Sequence, residues 1–159
     1  MKIKFVWGIL PVIITKSKNT WGHARAFFVK LPDNHGKPMY EHELFHVKQF
    51  YAMLFLYVTT VSAMIYGLNY LDLRQDVSFG ISMLTSAAMI WMYLNDWMKF
   101  RKETAAYGES LRNIKPSDRE SVARHYARVL SSSENYDLEI TYEEALEKIL
   151  KRQEDGRLF

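Results

Sequence analysis

In the segment YEHELFHVKQF, Tyr40 to Phe50, two histidines stand four residues apart and a glutamate directly follows the first: His42-Glu43-Leu44-Phe45-His46. On a helix, positions i and i+4 share a face one turn apart, so both imidazoles can offer nitrogens to one ion at about 2.0–2.1 Å. Glu43 is rotated away from that pair yet can reach a water held by the ion, where a carboxylate acts as general base. Zinc lowers the pKa of such a water towards about 7 and polarises a neighbouring carbonyl. The chemistry this spacing suits is metal-assisted hydrolysis. It needs a third protein ligand and a fourth position left open for water.

The elements around the motif say where that ligand should come from. Gln49 to Leu71 and Val77 to Asn95 contain no charged residue. Each is long enough as a helix to cross a hydrocarbon layer of about 30 Å. Neither has the polar stripe of a helix lying on a soluble core. They read as a two-helix membrane hairpin, with Tyr70 at one end and Trp91, Tyr93 and Trp97 at the other suiting interfacial belts. A hairpin returns the chain to the height at which it left, and Glu103 lies as far beyond the Asp72 to Asp76 turn as His46 lies before it. Glu103 is therefore the expected third ligand. Glu109, about two turns further along, is the weaker choice. Ala105 and Ala106 permit close helix approach.

Basic residues flank the hairpin on its outer sides, at Lys48, Lys99, Arg101 and Lys102, whereas its turn carries one Arg against two Asp. The positive-inside rule then places both termini and the site in the cytoplasm. The N-terminal run superficially resembles a signal peptide, but Pro11 interrupts it and Lys16 and Lys18 stand where a neutral cleavage region belongs. Strands are expected instead at 9–14 and 24–31, as a hairpin or as neighbours. The motif helix is expected over about 38–49, with Pro38 in its first turn, and the apolar spans over about 50–71 and 77–98. The third-ligand helix should cover 99–114. SDRE at Ser117 and TYEE at Thr141 are capping-box patterns, opening helices over about 117–131 and 141–154. The expected fold is a single α+β domain, mainly α.

Composition narrows the chemistry further. The chain has 159 residues and no cysteine, which excludes disulfides, thiolate metal sites and cysteine nucleophiles. Its net charge of +3 is scattered rather than gathered with aromatics into a nucleic-acid stripe. Of the other histidines, His125 lies in a helix-surface context, and His23 and His35 carry no assigned role. His125, Tyr107 or Tyr126 could supply an oxyanion donor.

HELFH followed by hydrophobic helices and then E-T-A-A-Y-G resembles the gluzincin zinc metallopeptidases, in particular their membrane-embedded, HtpX-like members. The resemblance covers roughly Ala24 to Ser110. It implies a zincin-like motif helix, Zn2+ held by His42, His46 and Glu103, Glu43 as the catalytic base, and Ala106 as a small residue beside the third ligand. Tyr107 stands where that family usually has Asp, so its role near the metal is changed.

The resulting expectation is a minimal zinc endopeptidase at a membrane face. Its partners would be a lipid bilayer and membrane-associated or unfolded polypeptides, with no nucleic acid. Two alternatives stand beside it: a non-catalytic membrane adaptor or regulatory protein that keeps the fold, and a soluble gluzincin-like protein whose apolar hairpin is buried. A His2Glu set also accepts Fe, Mn or Co.

Overall fold

The computed structural model describes residues 1–18, 22–71, 75–133, 136 and 138–156. Most of the expected Asp72 to Asp76 turn, and residues 134, 135 and 137 of the loop before Thr141, lie outside the described residues. The chain is α+β and mainly helical. Four strands, β1 (Lys2–Val6), β2 (Leu10–Lys16), β3 (His23–Arg25) and β4 (Phe28–Leu31), precede five helices. These are α1 (Lys37–Tyr70), α2 (Gln75–Leu94), α3 (Asp96–Arg112), α4 (Arg119–Leu130) and α5 (Tyr142–Asp155).

The strands form one sheet in the order β1-β2-β4-β3. The two runs identified in the sequence do lie side by side, but β2 and β4 are parallel. The hairpin partner of β2 is β1, which the sequence reading left unassigned. Trp7 and Gly8, with φ of 50° and 77°, make the tight connection between them, closed by a hydrogen bond from Ile9 N to Val6 O. A turn with both central φ positive, followed here by Ile9 before the strands pair at Val6 and Leu10, matches the twist of the strands it joins. The expected strand 24–31 is broken by Ala26, also at positive φ (51°), into β3 and β4. Val6, Val12, Val29 and Leu31 fill the buried face of the sheet.

Two compact units divide the chain: Met1–Phe50 with Phe100–Phe159, and Tyr51–Lys99. In the first, Thr104 to Gly108, Ser110 and Leu111 of α3 are buried. Ala105 and Ala106 pack on Phe45 of α1. Ser110 Oγ donates to Pro38 O at 3.1 Å. Gly108 lies so close to the α5 backbone at Arg152 and Gln153 that a Cβ there would approach within 2.8 Å. Leu111, Ala123, Ala127, Leu130 and Ile149 make the core with α4 and α5. Thr141 caps α5 by accepting from Glu144 N, and Gly156 closes it in the left-handed conformation. SDRE does not form a side-chain cap: Pro116–Asp118 is a 3-10 turn, and the Ser117 hydroxyl bonds Asp118 instead.

The second unit holds the remainder of α1, all of α2 and the start of α3. The motif helix and first apolar stretch are one helix, with no proline between Pro38 and Tyr70. After the second stretch the helix does not run on as expected. Asn95 interrupts it, and its side chain accepts from Trp97 N at 2.8 Å, capping α3 as a new start. α1 and α2 are both long and apolar enough to cross a membrane, and only 6% of the apolar window of α1 and none of that of α2 is buried.

Candidate metal centre

His42 and His46 share one face of α1, as the four-residue spacing requires, and α3 presents Glu103 to them. His46 Nε2 lies 3.1 Å from His42 Nε2. Glu103 Oε2 lies 3.6 Å from His42 Nε2 and 3.4 Å from His46 Nε2. Tetrahedral coordination at about 2.0–2.1 Å separates neighbouring ligand atoms by about 3.3–3.4 Å. The three donor atoms thus form a triangle of the size such an ion needs. The group could hold a metal ion. Nitrogen and oxygen donors of this kind suit zinc and also other divalent transition metals.

The surrounding hydrogen bonds fix the donors. Gln49, fully buried, donates from Nε2 to Lys102 O at 3.1 Å. That bond turns its Oε1 towards His46 Nδ1, 3.0 Å away, which must then carry the ring proton. In the neutral ring Nε2 of His46 then keeps its lone pair, the tautomer a metal requires. On the other side Tyr136 Oη donates to Glu103 Oε2 at 3.0 Å. Having spent its only proton there, Tyr136 accepts from Tyr107 Oη at 3.3 Å. Tyr107 in turn lies against His42, with ring centroids 4.5 Å apart, and stacks on Tyr126. Among the described residues His42 Nδ1 is buried without a hydrogen-bond partner.

Charge state follows from this packing. Burial would raise the pKa of Glu103, but His46 and then His42 outweigh it and hold the carboxyl well below its usual value. For His46 burial disfavours the charged ring, yet Glu103, Glu43 and the Gln49 bond together lift its pKa above the ordinary value. Burial pushes Glu43 up, only partly opposed by the two histidines. Tyr107 and Tyr136 are both raised, by burial first and by the Glu103 charge second, so their hydroxyls stay protonated.

A cavity of about 360 Å³ opens beside the group, lined by Glu43, His42, Tyr107, Tyr126 and Tyr136 among others. Gly22 approaches Glu43 so closely that a Cβ would come within 2.8 Å of its carboxylate. Of the residues singled out in the sequence, His42, Glu43, His46, Glu103 and Tyr107 gather here. His125 does not: it is exposed on α4, and its ring contact is with Tyr126. Glu109 points elsewhere and pairs with Arg112 at 3.3 Å. Gln49, Tyr136 and Gly22 were not anticipated. For Gln49 a signal existed, since it lies one helical turn beyond His46.

No family model, curated protein or solved structure matches this chain.

Proposed function

We propose that the chain is a metal-dependent endopeptidase, with zinc as the ion, acting at a membrane face on membrane-associated or unfolded polypeptides. The observation that carries this reading is the convergence of His42, His46 and Glu103 from α1 and α3, with a buried Glu43 beside them at the wall of a cavity. The bound ion would supply Lewis-acid polarisation of a carbonyl and activation of a water.

Everything else is assigned to the chain itself. Glu43 takes the proton of the attacking water and passes it to the leaving amine; its raised pKa makes it a better base than an exposed carboxylate. Gln49 keeps His46 in the liganding tautomer, and Tyr136 holds the Glu103 carboxylate in place. Tyr126 lines the cavity and would meet a polypeptide carbonyl there. The two membrane-length helices support a membrane setting and substrates met there.

Hydrolysis of an unstructured fluorogenic polypeptide by the purified full chain, beside Glu43→Gln, tests the reading. Wild type should cleave, lose activity to a chelator and regain it with zinc. Glu43→Gln should keep its metal and lose activity by about 10²-fold or more. Cleavage that survives Glu43→Gln would overturn the assignment, and metal without any Glu43-dependent cleavage would point to a metal-holding adaptor.

A further inference from the structure

We propose that the outer face of the N-terminal sheet is a docking surface for an anionic lipid bilayer, led by the turn that joins β1 to β2. A sheet with one covered face ordinarily turns polar side chains to water on the other. Here strand pairing puts Ile3 opposite Ile13 and Ile13 beside Phe28, all on the face away from buried Val12 and Val29. Phe5 follows Ile3 on the same side. Ile3, Phe5 and Phe28 are 58%, 61% and 43% exposed. A contiguous apolar patch of this kind marks a contact site rather than ordinary surface.

The turn adds a second observation. Positive φ at its first central position favours Asn, Asp or Gly, and a bulky residue there is an outlier. The chain instead carries Trp7, with φ of 50° and 53% of its surface exposed, followed closely by the exposed Ile9. An indole held out at a strained tip suits the headgroup boundary of a bilayer, where the amphipathic ring finds both an apolar and a wet side.

Charge selects the occupant. The strands contain no carboxylate; Lys2, Lys4 and Lys16 alternate onto the covered side, where Lys16 pairs with Asp33 at 2.8 Å, and the charge of the outer face comes from Arg25 and Lys30. Arg25 lies opposite Phe28, and Lys30 two residues along, so both share the apolar outer face. A second copy would set the same positive charge against itself, whereas anionic headgroups complement it. The inference does not depend on the metal centre.

The test uses the full chain in phosphatidylcholine bilayers, with and without phosphatidylserine, after Trp21→Phe, Trp91→Phe and Trp97→Phe leave Trp7 as the sole indole. Lipids brominated on the acyl chain are the quencher. Trp7 emission should shift to the blue and be quenched at least about twofold more with phosphatidylserine present, and Arg25→Glu with Lys30→Glu should abolish that gain. Emission of a water-exposed indole, unquenched in both bilayers, would overturn the proposal. In the otherwise unaltered chain, a benzophenone amino acid in place of Phe5 gives an independent reading. Light-induced adducts with lipid support the proposal; adducts between chains would overturn it in favour of a second copy.

Discussion

His46 can offer Nε2 to an ion only while Nδ1 keeps its proton, and the buried amide of Gln49 enforces that division. Gln49→Leu should weaken metal affinity about 10- to 100-fold in competition with a chelator, without displacing His42 or Glu103. Glu43 depends on the missing side chain of Gly22. Gly22→Ala should lower hydrolysis much more than it lowers metal content, because the added methyl meets the base and not the ligands. The metal-free protein should also show the charge state of the triad in its stability. His46 has a raised folded pKa, so its contribution is fully present below the ordinary value of 6.5 and is lost as pH rises through the folded value. Glu103 has a lowered folded pKa, so its contribution is present above 4.5 and is lost as pH falls through the folded value. Denaturant titrations across pH should therefore give the pair its largest effect between about 4.5 and 6.5. Glu103→Gln should flatten that profile.

At the scale of elements, α3 is the piece that makes the site possible, since its small residues let other helices close around it. Gly108→Ala should cost about 1–3 kcal/mol in a thermal or denaturant melt, because the methyl would press on the α5 backbone rather than on a side chain that could move. Thr141→Ala should cost about 1 kcal/mol by removing the α5 cap. The helical elements were legible where local rules decide them: the i, i+4 histidines and the Thr141 cap. The strands were less so. Lys2 and Lys4 alternate with Ile3 and Phe5 in β1, but the apolar set faces outward, so the pattern gave no hint of which face packs. Ala26 carries a left-handed conformation that nothing in its residue type announces. The break at Asn95 was missed because an asparagine after an apolar run reads equally well as the wet end of a continuing helix.

For the whole molecule, the legible part of the candidate site was the part that chain symmetry constrains. Glu103 is expected because it lies as far along the sequence beyond the Asp72 to Asp76 segment as His46 lies before it, whereas Tyr136, which bonds Glu103, stands in no motif or periodic run that would mark it. The apolar helices carry the membrane reading, and after alkaline carbonate extraction the chain should remain with the membrane fraction; release into the soluble fraction would contradict it. The central claim is the three-ligand metal centre, and elemental analysis of the purified chain beside Glu103→Gln tests it most directly. About one zinc or related divalent ion per wild-type chain is expected, with loss of most of that metal in the variant. A wild-type chain without stoichiometric metal, or a variant that keeps it as tightly, would contradict it.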